Sequence, residues 1–92
     1  MHPDDVPFLP RGVRTQHDDV RNTEVLLGPE RVLMLDQIGV AVLEKLDGVA
    51  SLRDISQELS GFYDAPIEVI VPDVVAFVQD LKEKGMVHVK AN

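Results

Sequence analysis

The chain has 92 residues, of which 45% are hydrophobic and 4% aromatic, and its formal net charge is −7. We expect one compact domain, because this length leaves no room for a second core and the apolar fraction is too high for intrinsic disorder. The acidic charge disfavours nucleic acids and anionic membrane surfaces as partners, since both are bound by clustered Lys and Arg.

The absence of cysteine and the pattern of the first residues indicate in which cellular compartment the protein is expected. The sequence has no cysteine, so it offers no disulfide and no thiolate ligand for an iron–sulfur cluster, as is typical of a reducing cytoplasm. The first residues, MHPDDVPFLP, lack the basic and then apolar order of a signal peptide. The longest apolar run, Val74–Val78, has five residues and is too short to span a membrane. These features predict a cytoplasmic protein.

Residues 1–12 are predicted to form an extended arm that precedes a folded domain over 13–92. The arm contains three prolines, Pro3, Pro7 and Pro10. Proline removes a backbone donor and favours an extended conformation for the residue before it, so a helix is not expected. Phe8 and Leu9 are apolar anchors that fix the arm either to its own domain or to a neighbouring copy.

The following segment predicts three short antiparallel strands, at roughly 13–18, 22–28 and 31–35. The period of two that strands show begins at Val13. The alternating residues are Val13, Thr15 and His17 on one face and Arg14, Gln16 and Asp18 on the other. Gly28-Pro29-Glu30-Arg31 is suited to a turn between two apolar segments.

Three helices are predicted after the strands. Asp36 is a suitable N-cap for the first helix, which Gly48 ends. Ser51 begins the second, and Asp54 completes a variant of the capping box.

The last helix is predicted from an apolar stripe at helical spacing that ends at Gly85. Pro66 suits the first turn, but Pro72 lies inside the pattern, where its ring clashes with the carbonyl four residues earlier. Either the helix kinks at Pro72, or it begins near that residue. Residues 86–90 alternate like a brief strand.

The sequence lacks the usual patterns of catalytic and metal sites. The histidines His2, His17 and His88 have no ligand spacing, and the carboxylates are spread along exposed helix faces. The serines stand in no GxSxG context. We therefore expect no enzymatic activity, no metal and no cofactor.

Two apolar surfaces point to a binding function. Val32–Leu35 is apolar at every position, so this strand is either central or an edge that accepts a strand from outside. The apolar arc of the last helix spans about 160°, against about 100° for one core contact. The excess falls on Val71, Val75 and part of Val78, and another helix, a homodimer contact or a peptide groove beside the strand would cover it.

Strands followed by three helices are also typical of winged-helix proteins, which raises DNA binding as an alternative. A recognition helix presents Arg, Lys, Asn or Gln to the bases. The exposed positions of the last helix are mainly acidic, with basic residues only at its end, so its charge disfavours DNA.

Three motifs occur in order along the chain: LLxPExVLxLD at 26–36, LDG at 46–48 and DVxxFxxxL at 73–81. In this combination the chain resembles the PqqD family, the peptide chaperone of pyrroloquinoline quinone biosynthesis. The resemblance covers nearly everything beyond the arm. Three positions depart from the family pattern, where Gly, Asn and an uninterrupted helix are expected: Arg31, Asp36 and Pro72.

The resemblance implies a recognition domain whose third strand pairs with the leader of a precursor peptide and whose last helix forms the facing wall. The implied peptide-binding residues are Arg31, Val32, Leu33, Met34, Leu35, Val71, Val74, Val75 and Val78. The implied partners are a PqqA-type precursor peptide and a radical SAM enzyme that crosslinks Glu to Tyr within it.

The sequence thus predicts an α+β fold, winged helix-turn-helix-like, with a three-stranded antiparallel sheet followed by three helices. The predicted function is that of a non-catalytic peptide chaperone, which binds a leader by strand addition and presents it to the radical SAM enzyme. The alternative is a structural or regulatory homodimer that uses the same apolar surface for self-association.

Overall fold

The computed structural model describes residues 1–90. Its strands are β1 (Val6–Phe8), β2 (Arg14–Asp18), β3 (Thr23–Leu27), β4 (Val32–Leu35) and β5 (His88–Lys90), and its helices are α1 (Gln37–Leu43), α2 (Leu52–Tyr63) and α3 (Ile67–Glu83). The predicted α+β class, with a three-stranded antiparallel sheet followed by three helices, is confirmed. The likeness to winged-helix proteins stays a prediction.

The main sheet has the strand order β2-β3-β4, and both pairings are antiparallel. In this order β2 and β4 are the two edges within residues 1–90. A second, two-stranded sheet joins β1 to β5, in the register Pro7 opposite Val89. The first residues therefore pair with the last described strand of the same chain.

The predicted arm lies against the start of α2. Pro7 is buried, and the backbone N–H groups of Leu52 and Arg53 donate hydrogen bonds to the carbonyls of Asp5 and Pro3, at 3.0 and 2.8 Å. These bonds satisfy two of the free donors at the beginning of the helix, which have no partner within the helix itself.

Side-chain hydrogen bonds cap the first turns of α1 and α2, at the N-cap residues that the sequence predicts. The Asp36 carboxylate accepts a hydrogen bond from the Gly39 N–H at 2.6 Å. Ser51 and Asp54 form the reciprocal capping box of α2. Because each cap satisfies donors that a helix start leaves free, these short polar residues fix the two starts.

The end of the first helix differs from the sequence analysis, and the structure decides between the two alternatives for the start of the last helix. The first helix ends at Leu43 and not at Gly48, since the chain continues in tighter i to i+3 turns, with the Leu46 N–H donating to the Leu43 carbonyl. The last helix begins at Ile67 and runs through Pro72, so it does not begin near that proline.

The core lies between one face of the main sheet and the three helices. Leu26 of β3 is fully buried, as are Val78 of α3 and Val87 before β5. Leu52, Ile55 and Leu59 of α2, together with Val42 of α1 and Leu81 of α3, complete the same cluster.

Replacement of Leu81 by alanine should lower the free energy of unfolding by roughly 2–5 kcal/mol, because it leaves a cavity in this cluster. Leu81 is 2% exposed. Urea denaturation measures the loss. The matched control is Val69→Ala on the same helix, where the side chain is 56% exposed and a change below about 1 kcal/mol is expected. Equal losses in the two variants would contradict this placement of the core.

A cross-strand pair gives the sheet a pH-dependent contribution to stability. His17 Nδ1 lies 2.7 Å from Glu24 Oε1, and this hydrogen bond, with the nearby charges of Glu24 and Asp19, raises the pKa of His17 above 6.5. The contribution is therefore complete below pH 6.5 and is lost as the pH rises through the raised pKa.

An NMR titration of the His17 ring should give a pKa above 6.5. Glu24→Gln should return that pKa toward the ordinary value, because it removes the charge of the hydrogen-bond partner. An identical titration in the two proteins would show that Glu24 does not hold the imidazolium.

Candidate peptide-binding groove

The free backbone edge of β4 is the first component of the candidate site. The Gly28 N–H donates to the Arg31 carbonyl at 2.9 Å, so the polar groups of Arg31 point toward β3. Backbone groups of an antiparallel strand alternate in direction. Leu33 and Leu35 therefore also bond toward β3, while Val32 and Met34 present their N–H and C=O groups on the side away from β3.

The opposite edge of the sheet has a different character. Every residue of β2 is polar, in the order Arg-Thr-Gln-His-Asp, and all but the last are exposed. Charged and polar side chains protect an edge against pairing with another chain. The apolar edge at β4 is therefore the one suited to accept a guest strand.

The side chains of β4 alternate between the two sheet faces. Leu33 pairs with Leu26 and Leu35 with Glu24 in the register, which places both leucines on the core face. Leu35 is accordingly 8% exposed. Val32 and Met34 point to the outer face and are 56% and 68% exposed.

The proximity of α3 to α1 and to the Gly28–Arg31 turn places it near the two ends of β4. Near the end of β4, a Cβ built on Gly39 would lie only 3.2 Å from the Phe77 ring. Near its start, Lys84 borders the same concavity as the Gly28–Arg31 turn. The flank of α3 that carries Asp73, Phe77 and Lys84 thus faces the strand. We call the space between this flank and β4 the groove.

An apolar pocket of about 390 Å³ lies at the end of the groove where β4 meets α1. Its walls come from all three helices. The lining residues are Asp36, Ile38, Gly39, Val42, Leu59, Tyr63, Ala65, Ile70, Asp73, Val74 and Phe77. Ile38 is 57% exposed, so a large apolar side chain is available there to a bound molecule.

The ends of the groove differ in charge. Asp36 and Asp73 lie at the pocket end, and Arg31 and Lys84 lie at the turn end. Lys84 Nζ also contacts a carboxylate oxygen of Asp80, one turn earlier on α3. Since Glu30 also lines the turn end, that end is close to neutral, and the acidic pocket end favours one direction for a bound peptide that is itself charged.

The structure brings together only part of the predicted site. Arg31–Leu35 lie along the β4 edge, and Val74 lines the pocket with 3% exposure. Val78 is fully buried in the core and offers no surface to a peptide. At about 100° per residue, Val71 and Val75 lie about 120° and 160° around α3 from Phe77. Val71 and Val75 therefore lie on the flank of α3 opposite to Phe77, and a wall on the Phe77 flank is the alternative to the one predicted from the valines.

Sequence reasoning missed Phe77, Ile38 and Asp73 as groove residues. The apolar arc gave the width of the exposed stripe on α3, but it contained no information on which flank faces β4. The small residue Gly39 was a usable signal, because a helical position without a side chain allows an aromatic ring to approach closely.

No cluster of three or more His, Cys, Asp or Glu side chains within residues 1–90 is arranged to hold a metal ion. Among the same residues, no helix combines the length and the apolar character needed to cross a bilayer.

Comparison with protein families gives a match over residues 24–87 to the model of coenzyme PQQ synthesis protein D (PqqD). A relative from Bradyrhizobium diazoefficiens, named PqqA binding protein, is 46% identical over 79 residues, which are 86% of this chain and 77% of the relative. A protein of the same name from Rhizobium meliloti is 43% identical over 88% of this chain and 83% of its own length.

Two solved structures are also similar. One is the solution structure of the PqqD truncation of Methylobacterium extorquens PqqCD, described as a stand-alone RiPP recognition element, with a TM-score of 0.79, 43% identity, and coverage of 90% of this chain and 88% of that one. The other is the crystal structure of PqqD from Xanthomonas campestris, with a TM-score of 0.59, 41% identity, and coverage of 92% and 94%.

The contact between Gly39 and Phe77 gives a test of the groove wall. In Gly39→Ala the new methyl group would lie 3.0 Å from the Asp36 carboxylate and 3.2 Å from the Phe77 ring. We expect a net loss of roughly 1–3 kcal/mol in the free energy of unfolding, measured by urea denaturation.

Gly61→Ala is the matched control, because nothing lies within 4 Å of the added methyl group. Alanine has the higher helix propensity, so this variant should be more stable by about 0.5–1 kcal/mol. If both variants gain stability equally, α1 and α3 do not meet as closely as described.

Proposed function

The chain belongs to the PqqD family, and we propose that it is a chaperone that binds the leader of a PqqA-type precursor peptide as an added strand on β4 and presents it to a radical SAM enzyme. The observation that carries this proposal is the apolar edge of β4, which borders the groove and pairs with no strand within residues 1–90. The names of the similar proteins, PqqA binding protein and RiPP recognition element, support it.

The backbone of β4 has room for a short ladder. Val32 and Met34 together present two N–H and two C=O groups away from β3, so a guest strand forms up to four hydrogen bonds. Each contributes roughly 0.5–1.5 kcal/mol net. Backbone pairing alone is therefore weak, and it does not distinguish one peptide sequence from another. The specificity and the remaining affinity come from side-chain contacts in the groove.

The pleat of the sheet decides which guest side chains enter the groove. Residues directly opposite one another in a ladder share a face. Guest residues opposite Leu33 and Leu35 point toward α3, and those opposite Val32 and Met34 point to the outer face. The leader is thus expected to carry apolar residues two positions apart, with the one opposite Leu35 nearest the pocket.

The size of the site is consistent with moderate affinity. Each apolar side chain buried in the groove adds roughly 1.5–3 kcal/mol, while ordering of a flexible peptide opposes binding. We expect a Kd in the micromolar range, about −8 kcal/mol.

We assign the chemistry to the partner enzyme and not to this chain. The sequence has no cysteine to hold the iron–sulfur cluster of a radical SAM reaction. The role of this chain is to hold the peptide in an extended conformation, which reduces the entropy that the enzyme would otherwise have to remove on binding.

Strand addition predicts a period of two in an N-methyl scan of the leader peptide. A methyl group on an amide that bonds to Val32 or Met34 removes a donor and adds a clash, so the Kd should rise at least about tenfold. The amides between these positions point away from β4 and serve as internal controls. Isothermal titration calorimetry gives each Kd, and a scan without alternation would contradict strand addition.

The groove predicts that Ile38→Asp weakens leader binding at least about tenfold, because a carboxylate replaces an apolar side chain at the pocket and adds to its negative charge. Asp in the first turn of a helix is compatible with folding. Val49→Asp is the control, since Val49 is also exposed but lies between α1 and α2.

Val71→Asp tests the flank of α3 that the sequence analysis favoured. Its Kd for the leader should stay within about twofold of the unmodified protein, because the residue faces away from β4. A loss in Val71→Asp comparable to that in Ile38→Asp would restore the predicted valine wall and overturn the assignment to the Phe77 flank.

A further inference from the structure

The outer face of the main sheet carries an apolar surface that a guest strand on the β4 edge does not cover. Four side chains share this face through the register of β3 and β4: Val25, Leu27, Val32 and Met34. We call them the outer patch. Val32 and Met34 are 56% and 68% exposed, whereas Leu27 is half-buried and Val25 is 3% exposed. Val32 and Met34 are therefore the part of the outer patch that a partner can reach, and exposed apolar surface of this kind marks interaction sites.

Arginines border the outer patch. Arg14 stands opposite Leu27 in the register, and Arg21 lines the same concavity as Leu27 and Val32, where it pairs with Asp18 and lies near Asp19. Residues 11–35 contain four of the five arginines and no lysine, and are neutral overall, whereas the chain carries −7. Arg and Met are enriched in protein interfaces, while Lys, Asp and Glu are depleted.

A guest strand would extend the outer patch. Its residues opposite Val32 and Met34 point to the outer face, so they lie level with those two side chains. A partner seated on the outer patch therefore also contacts the alternate side chains of the bound peptide. This continuity fits a protein that acts on the peptide while this chain holds it.

The charges favour such a partner over a second copy of this chain. A symmetric pair would place two arginine-bordered patches face to face. Residues 36–90 carry ten acidic and five basic residues, and the helices among them pack on the other face of the sheet. Asp18 already pairs with Arg21, whereas Arg14 forms no ion pair within residues 1–90, so charge complementarity favours a different protein that supplies carboxylates.

We propose that the outer patch docks the enzyme that modifies the peptide, through a surface of apolar side chains bordered by carboxylates. This assignment rests on the proposed function. It gives β4 two uses at once: its edge binds the peptide, and its outward side chains bind the enzyme.

The test uses the full chain and the purified radical SAM enzyme of the pathway, without peptide, in biolayer interferometry. The double variant Arg14→Glu/Arg21→Glu should weaken enzyme binding at least about tenfold at low salt, because it places like charges opposite the carboxylates. Both residues belong to β2 or its turn, away from the β4 edge, so the Kd for the leader should be unchanged.

The matched control is Lys45→Glu/Arg53→Glu, which changes the net charge equally on the helical side. Three of the four substituted residues form surface ion pairs: Arg21 with Asp18, Lys45 with Glu58 and Arg53 with Asp4. The two double variants therefore disturb similar interactions. Enzyme binding by this control should stay within about twofold. Equal weakening in the two double variants would indicate a general charge effect and overturn the proposal, as would undiminished binding by the Arg14→Glu/Arg21→Glu protein.

Sedimentation of the unmodified protein tests whether a second copy covers the outer patch. A dimer that dissociates in Arg14→Glu/Arg21→Glu would show that a second copy covers the outer patch, and this would also overturn the proposal. Calorimetry with the leader alone separates the two hypotheses: failure of the unmodified protein to bind the leader refutes the proposed function, whatever the enzyme does.

Discussion

An unpaired strand edge is costly for a small protein, and the whole arrangement here follows from keeping one at β4. An exposed apolar edge invites pairing with any extended chain, which is why such edges are usually short, charged or covered. The β2 edge follows that rule with five polar residues. At β4 the protection is only shortness, since the strand has four residues. A function that needs an incoming strand explains why this edge lacks charge.

In the proposed site, the helices make this edge selective. Phe77 reaches the start of α1 because Gly39 has no side chain there, and Asp36 holds that start by capping the same glycine. The strand end, the helix cap and the α3 flank are thus fixed against one another by a few close contacts. A guest that pairs with β4 must then fit a wall whose position is set before binding, which is how a rigid site gains selectivity.

Much of this could be predicted from the sequence, and what could not has a definite physical reason. Local chemistry decides turns and helix starts, so the hairpin turn at Gly28–Arg31 and the caps Asp36 and Ser51 were identified correctly. The flank of α3 that faces β4 is decided by packing between distant elements. A helical wheel measures only the width of an apolar arc, so it does not decide between the flank of Val71 and Val75 and the flank of Phe77.

The four residues of β4 show how a short segment serves three surfaces without conflict. Leu35 and Leu33 supply the core side, the backbone of Val32 and Met34 supplies the edge, and the side chains of the same two residues supply the outer face. A continuous apolar run is not expected in a strand with one solvated face, where alternation with polar residues is the norm. It is expected in a strand whose two faces and free edge each contact a partner. The run VLML therefore argues for binding on the outer face as strongly as on the edge, since neither demand alone requires an apolar residue at every position.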